Sequence, residues 1–273
     1  MTDQLTRATR FRALHERPEP FLLPNPWDAG TARLLAGLGF EAIATTSLGV
    51  ANMLGRTRAG RQDVLDNCRL ISEATPLPVN ADLENGFADE PAEAAKMIED
   101  ACACGAVGVS IEDATGDPRR PIYDFGLAVE RIHAAVEVAR GLPVPPVLTA
   151  RAENLLYGVA DLEDTIRRLQ AFEAAGADVL YAPGLRTLDQ MRAVVSSVGR
   201  PVNVVMGFAE PSITLEQLAE IGVRRVSIGG ALSRLALRSF LEGARQMRAG
   251  RFGFITEMAS ISELHEAFTP PPE

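Results

Sequence analysis

The sequence predicts an α/β protein, a closed (β/α)8 TIM-type barrel, and three observations favour this fold. Apolar, strand-like runs alternate with amphipathic helical segments eight times. No linker, low-complexity tract or charge block interrupts the alternation. The length of 273 residues suits a single barrel, which typically takes about 250. An open doubly wound sheet is the alternative, but the early Gly-x-Gly-x-x-Gly that such a fold uses to cradle phosphate is missing.

The predicted strands are short, mostly apolar runs that end at turn-forming or charged residues. They span 21–25, 41–47, 78–84, 106–113, 145–153, 177–184, 201–207 and 224–230. Between them, 126–140 and 161–175 carry apolar residues at three-to-four spacing, which is typical of amphipathic helices.

Helix boundaries are also visible in the sequence. Thr187 with Gln190, and Thr214 with Gln217, have the spacing of capping boxes at helix starts. Glycines follow the helical stretches, where a left-handed residue turns the chain towards the next strand, at positions 39, 105, 176 and 222. We therefore expect one domain over 1–273. It has an N-terminal helix, a barrel over about 20–250 and an extra C-terminal helix over 254–268.

Composition excludes several functional classes. The formal charge of −9 and the lack of a basic run argue against a nucleic-acid partner. No apolar stretch reaches the ~20 residues that cross a bilayer, and the charged N-terminus lacks the apolar core of a signal peptide. The three cysteines fit no paired framework. We expect a cytoplasmic protein with reduced thiols and no membrane partner.

Charged residues end three successive predicted strands. Asp82 and Glu84 end the third, Glu112 and Asp113 the fourth, and Arg151 lies near the end of the fifth. Carboxylates next to buried runs are costly unless they hold a cation or a ligand. The extended spacing of Asp82 and Glu84 predicts that both point to one face. Any one acid could instead be a helix cap, but together they favour an acidic metal site facing a guanidinium, at the barrel end where catalytic residues gather.

Five segments resemble the isocitrate lyase/phosphoenolpyruvate mutase superfamily, in order and at similar spacing. They are 24–29 (PNPWDA), 45–47 (TTS), 80–87 (NADLENGF), 111–113 (IED) and 149–151 (TAR). The resemblance implies a Mg²⁺-dependent (or Mn²⁺-dependent) enzyme that acts on a 2-oxo acid through an enolate. It implies metal ligation, largely through waters, by Asp82, Glu84 and Glu112, with Glu112 also among the catalytic residues.

The resemblance also implies the substrate site. Arg151 is expected to be catalytic and to bind the carboxylate or oxo group of the substrate. Ser47, with the backbone amides around Leu48 and Gly49, matches a turn that holds a carboxylate. Asn203 matches a substrate-side position of some lyases, although it could equally be a hydrogen-bonded amide inside the barrel. The C-terminal helix is expected to exchange between subunits of a homodimer or homotetramer.

Departures from the superfamily pattern bear on the reaction. Residues 114–124 read ATGDPRRPIYD, without the Lys-x-Cys-Gly of isocitrate and methylisocitrate lyases or the Lys and Asn-Ser of the mutases. Arg58 stands near a family aspartate, and Pro183 replaces a mutase histidine. The segment from Thr115 to Phe125 is expected to be a mobile gate over the barrel mouth.

Three functions stay open at this point. The first is a lyase that cleaves a C–C bond of a 2-oxo (di)carboxylic acid, by oxaloacetate-like decarboxylation or a related cleavage. The second is phosphonate P–C chemistry, of the phosphoenolpyruvate mutase or phosphonopyruvate hydrolase type, with arginines 56, 58, 119 or 120 supplying positive charge. The third is a non-catalytic binder of 2-oxo dicarboxylates.

Overall fold

The computed structural model describes residues 2–269, so the predicted domain limits at 1 and 273 lie outside the described residues. Eight parallel strands form one sheet in the order β1-β8-β7-β6-β5-β4-β3-β2. The strands are β1 (Phe21–Leu23), β2 (Ile43–Ala44), β3 (Val79–Asp82), β4 (Gly108–Glu112), β5 (Val147–Arg151), β6 (Val179–Tyr181), β7 (Val202–Val205) and β8 (Arg225–Ser227). The predicted (β/α)8 barrel is confirmed, and each strand lies within its predicted run.

The barrel closes between its first two strands through few contacts. The backbone N–H of Ala44 donates to the Pro24 carbonyl at 3.0 Å. The side chain of Asn25 adds a second link, because its amide donates to the Thr45 carbonyl and its oxygen accepts from the backbone of Ile228 and Gly229. One buried side chain therefore ties together the ends of β1, β2 and β8.

Helices cover the outside of the barrel and follow the predicted periodicity. They are α1 (Thr2–Glu16), α2 (Ala29–Gly37), α3 (Ser47–Met53), α4 (Arg61–Ala74), α5 (Pro91–Ala103), α6 (Phe125–Gly141), α7 (Leu162–Ala175), α8 (Leu188–Ser196), α9 (Leu215–Glu220), α10 (Ala231–Arg248) and α11 (Ile261–Phe268). Both predicted capping boxes are present, at the starts of α8 and α9. The four predicted turn glycines all have positive φ.

Helix α1 packs across one end of the barrel. Phe11 and Leu14 are buried there against Phe21, Val147 and Val179, which come from β1, β5 and β6. These strand residues lie at or near the amino ends of their strands, so α1 closes the end opposite the predicted site. The remaining opening lies at the carboxyl ends of the strands.

The C-terminal part differs from the single helix predicted over 254–268. A 3-10 helix (Gly253–Glu257) is followed by an extended Met258 and then by α11. Ser260 accepts from the backbone of Glu263, which starts a separate helix. This Ser-x-x-Glu start signal was overlooked in the sequence. Helix α11 lies against α2 of its own chain, and its exchange between subunits stays a prediction.

No helix within residues 2–269 combines the length and the apolar character needed to cross a membrane.

Candidate active site

A cavity of about 500 Å³ opens at the carboxyl ends of the strands. A volume of this size is within the range of ligand pockets, roughly 300–1,000 Å³. Seven of the residues predicted from the sequence line its walls, namely Ser47, Leu48, Asp82, Glu84, Glu112, Arg151 and Asn203. Gly49 and Asp113, which were also predicted near the site, do not line it.

Arg151 lies at the centre of the carboxylate groups. It is the last residue of β5, and its Nη1 lies 2.7 Å from Oδ1 of Asp82 while its Nη2 lies 2.9 Å from Oε2 of Glu112. Its Nε donates to Oε1 of Glu153 at 2.8 Å. Burial alone would lower the pKa of Arg151, but the three carboxylates outweigh burial and raise that pKa well above its usual value. The guanidinium is therefore permanently charged and held on three sides.

Asp82 links the guanidinium of Arg151 to helix α3. Its Oδ2 accepts from the backbone N–H of Ser47 at 3.0 Å, while Oδ1 contacts Arg151. A carboxylate at this position is stabilised by the positive end of the helix dipole. Ser47 is the first residue of α3, which corrects the prediction that it ends a strand.

The side chain of Glu84 lines the cavity, but its backbone conformation differs from the predicted one. Strand β3 ends at Asp82, and Glu84 adopts a left-handed conformation with φ of 47°. The expectation that an extended strand points both carboxylates to one face is therefore wrong, although both side chains do line the same cavity. Left-handed backbone is uncommon outside glycine and concentrates at functional sites.

Burial changes the proton affinity of Glu112 and Glu84. Burial raises the pKa of Glu112 well above its ordinary value, although Arg151 lowers it. Burial, with repulsion from Asp82, also raises the pKa of Glu84. Both shifts show that these carboxylates are held close to like charges in a poorly solvated site, where a cation would be stabilised.

The acids suit a hard cation in chemical type. Asp82, Glu84 and Glu112 supply only oxygen donors. Among the described residues, no three His, Cys, Asp or Glu side chains are close enough together to hold a metal directly. Since Mg²⁺ keeps several waters and is usually bound through one or two carboxylates, the three acids fit Mg²⁺ held largely through water.

Asp113, next to Glu112, faces away from the cavity. Its Oδ2 pairs with Arg168 at 3.1 Å, and its Oδ1 accepts from the backbone N–H of Glu153 at 2.8 Å. Burial raises its pKa to about 6. Asp113 thus fixes the backbone of the residue that contacts Arg151.

Asn203 and Gly49 have interior partners. The Asn203 oxygen accepts from Nε of Arg225 and its amide donates to Ser227, so both ends of the side chain are bound within the barrel. The N–H of Gly49 points to the hydroxyl of Thr46, and a Cβ at Gly49 would lie 2.6 Å from the Thr46 methyl. This glycine is therefore needed for packing in the first turn of α3, and its contact with a substrate stays a prediction.

Two cavity residues were missed in the sequence. Glu153 is a buried acid just beyond β5, and the strand-end criterion that identified Asp82 would have found it. Arg225 is the first residue of β8, is buried, and also binds Thr149 at 3.0 Å. Burial lowers the pKa of Arg225 to about 9.

Of the predicted gate, Thr115 to Phe125, residues 115–124 form a compact loop beside the cavity, and Phe125 begins α6. The N–H of Thr115 donates to the Pro121 carbonyl, and Ala114 pairs with Ile122 as an isolated bridge. Gly116 and Pro118 line the cavity. The loop is thus in the position expected of a gate, and its mobility stays a prediction.

Residues 11–248 match the family described as phosphoenolpyruvate phosphomutase. The chain belongs to this family. It is therefore a member of the isocitrate lyase/phosphoenolpyruvate mutase superfamily, whose enzymes are lyases and mutases, and the prediction of an enzyme is supported.

Individual relatives span several activities. The fold is similar to that of a Burkholderia cenocepacia J2315 protein provisionally described as a lyase/mutase, with 52% identity, a TM-score of 0.96 and coverage of 99% of this chain and 98% of that one. The 2-methylisocitrate lyase of Salmonella typhimurium is 32% identical over 76% of this chain and 73% of its own length. The oxaloacetate decarboxylase of Paraburkholderia xenovorans is 26% identical over 98% and 91%.

Proposed function

We propose that this protein is a Mg²⁺-dependent lyase that cleaves a C–C bond of a 2-oxo (di)carboxylic acid by way of an enolate. The observation that carries the proposal is the position of Arg151, a guanidinium held between Asp82, Glu112 and Glu153 on the wall of one cavity. Such a group stabilises negative charge that develops on the 2-oxo oxygen.

The chain's own residues would orient the substrate. The first turn of α3 offers the backbone N–H of Leu48 and the positive end of a helix dipole to a carboxylate, while the N–H of Ser47 is bound to Asp82. Arg151 has five N–H donors and contacts three carboxylates, so donors remain for a substrate oxygen. Asp82, Glu84 and Glu112 would hold Mg²⁺, which when bound supplies further stabilisation of charge on the 2-oxo oxygen.

The absence of cysteine and lysine from the loop at residues 114–124 favours decarboxylation over cleavage of isocitrates. Cleavage of isocitrate or methylisocitrate releases a carbanion equivalent that must be protonated, and the loss of a positioned general acid costs about 10²–10⁴ in rate. Residues 114–124 contain no cysteine and no lysine. Decarboxylation of an oxaloacetate-like acid needs less from the protein, because CO₂ leaves without a proton and the enolate that remains can take its proton at C3 from water. The similarity to an oxaloacetate decarboxylase is consistent with this choice.

The experiment is steady-state turnover by the purified protein with Mg²⁺. The panel contains pyruvate, oxaloacetate, 2-oxoglutarate, isocitrate, methylisocitrate and phosphonopyruvate. We expect CO₂ and pyruvate from oxaloacetate, or CO₂ and the correspondingly substituted 2-oxo acid from a substituted relative, with slow or no cleavage of the isocitrates. Robust cleavage of the isocitrates would contradict the proposed reaction.

Two other outcomes would favour the alternatives. Release of phosphate from phosphonopyruvate, or its isomerisation, would assign P–C chemistry. Arg58, which lines the cavity, is the observation that favours this second candidate. Thermal stabilisation by a 2-oxo dicarboxylate without any turnover would identify a non-catalytic binder.

A further inference from the structure

Four arginines near the cavity mouth differ in what they contact. Arg56 pairs with Asp63 at the start of α4, at 2.7 Å. Arg119 pairs with Asp117, and its side chain is 90% exposed. Neither of these nor Arg120 lines the cavity, whereas Arg58 does.

The guanidinium of Arg58 lies between the acidic wall and the loop. Its Nη1 donates to the carbonyl of Gly116 at 3.3 Å, and its Nη2 lies 3.9 Å from Oε2 of Glu84. The second distance is at the limit for an ion pair and too long for a hydrogen bond. Most of its five donors are therefore available for another partner.

Gly116 permits this approach. It has a φ of 79°, and a Cβ at that position would lie 3.0 Å from Nη2 of Arg58. A larger residue would thus be strained and would crowd the guanidinium. The loop backbone and Arg58 are in contact at the edge of the cavity.

The other two guanidiniums on the cavity wall are more fully engaged. Arg151 contacts three carboxylates, and Arg225 is 2% exposed and hydrogen-bonded to Asn203 and Thr149. Arg58 is 63% exposed in its side chain. Among the described cavity residues it is the cation that combines solvent access with free donors.

We propose that Arg58 determines substrate specificity by binding a second anionic group of the substrate, at the opposite end from the group bound at Arg151. The group is a carboxylate or a phosphonate, since a planar guanidinium binds both through paired N–H donors. This inference rests on the proposed function, because it takes the substrate to be a 2-oxo acid. It adds that the substrate is a dianion, such as an oxaloacetate-like or phosphonopyruvate-like acid.

The test compares ligands that differ in the distal group. Oxaloacetate and phosphonopyruvate carry a second anion, whereas 2-oxobutyrate has a methyl group in place of the distal carboxylate. Dissociation constants are measured with Mg²⁺ by calorimetric titration, or KM and kcat where the ligand is turned over, for the parent protein, Arg58→Gln and Arg58→Lys. Arg119→Gln is the matched control, since it removes an arginine of the neighbouring loop that does not line the cavity.

We expect Arg58→Gln to weaken binding of the dianion by about tenfold or more, the size of one lost charged hydrogen bond. Binding of 2-oxobutyrate should change by less than about twofold. Arg58→Lys should recover part of the affinity, and Arg119→Gln should bind like the parent. Whichever dianion the parent binds more tightly identifies carboxylate or phosphonate as the natural group.

Two results would overturn the inference alone. The first is that the parent protein and the Arg58→Gln variant bind the dianions with equal affinity. The second is that Arg58→Gln lowers the affinity for the dianions and for 2-oxobutyrate by the same factor. If the parent binds no 2-oxo acid at all, the proposed function itself fails, and the role of Arg58 fails with it. Unchanged thermal unfolding of Arg58→Gln without ligand would show that the variant is folded.

Discussion

Nε of Arg151 donates to Oε1 of Glu153 at 2.8 Å, while Oε2 of the same carboxylate is buried and has no hydrogen-bond partner among residues 2–269. The backbone of Glu153 is itself fixed by Asp113. Glu153 therefore holds the guanidinium plane in one orientation and leaves an acceptor atom unused. A buried unpartnered oxygen is costly for folding, so its presence suggests a role at the site.

Replacement of Glu153 should reduce turnover more than stability. Glu153→Leu removes the acceptor for Nε, and we expect kcat/KM to fall about 10- to 100-fold, as for other supporting partners of a site. Glu153→Gln keeps an acceptor for Nε, so we expect a smaller fall in kcat/KM. Glu163 in the first turn of α7, which is exposed, is changed to Gln as the control. Equal activity of Glu153→Leu and the parent would show that this contact does not position Arg151.

Arg151→Lys should depress turnover strongly. One ammonium cannot reproduce the three separate contacts of the guanidinium with Asp82, Glu112 and Glu153, nor its paired donors to a substrate. We expect a loss of about 10² or more in kcat, similar to the removal of one oxyanion donor. Arg192→Lys changes an exposed surface pair with Asp189 and is the matched control. If Arg151→Lys is as active as the parent, the guanidinium of Arg151 is not required for catalysis.

The residues that were correctly predicted to lie together are those whose positions strand order determines. Asp82, Glu112 and Arg151 end neighbouring parallel strands, and in a closed barrel such ends must meet. The sequence pattern is enough to place them together. The pairing of Glu112 with Arg151 across β4 and β5 follows directly from the register.

The parts that could not be predicted depend on local backbone and side-chain choices. The left-handed conformation of Glu84 and the orientation of Asp113 away from the cavity both result from tertiary contacts. Side chains point alternately to the two faces of a sheet only within a strand, so this rule does not apply beyond the last residue of β3 or β4. Glu153 lies two residues beyond the end of β5, where its contact with Arg151 depends on the local turn of the backbone.

Removal of divalent metal should abolish both turnover and ligand binding. The cavity acids offer oxygen donors without histidine or thiolate neighbours, a donor set typical of Mg²⁺ or Mn²⁺ sites. Chelation with EDTA followed by calorimetric titration of a 2-oxo acid should show no binding, and added Mg²⁺ should restore it. Activity that survives exhaustive chelation, or a site that proves to hold zinc, would contradict the roles of Asp82, Glu84 and Glu112.

His15 should make the fold sensitive to acid. Burial, with repulsion from Arg225, lowers its pKa from 6.5 to about 3. Between these values the unfolded chain binds a proton that the folded chain does not, so stability falls as pH decreases from about 6.5 towards 3. One proton corresponds to at most about 1.4 kcal/mol per pH unit.

The measurement is the free energy of unfolding in urea at pH 7, 6, 5 and 4.5. His15→Gln keeps a polar group near the Phe11 carbonyl and Arg225 but does not titrate. We expect the variant to lose less stability than the parent between pH 7 and 4.5. Parallel pH profiles would show that His15 is not protonated preferentially in the unfolded chain. His133→Gln, in the middle of α6, is the control.

The C-terminal arm, defined as α10, the 3-10 helix and α11, should mediate self-association. Among its described residues, α10 has only Ser233 buried, whereas Leu235, Phe240 and Leu241 are 58%, 71% and 49% exposed. Ile261 of α11 is 73% exposed. Large apolar side chains exposed together on one arm are typical of a protein interface. By its resemblance to the superfamily, the chain is expected to form a homodimer or homotetramer through this arm.

Light scattering at micromolar concentration tests this expectation. The parent protein should have the mass of two or four chains, and Phe240→Asp should shift the population towards the monomer, because a buried unpaired carboxylate is costly at an interface. Leu5→Asp, at an exposed leucine of α1, is the matched control and should leave the mass unchanged. A parent protein that is monomeric would contradict the prediction, and a Phe240→Asp variant with the parent's mass would place the interface elsewhere.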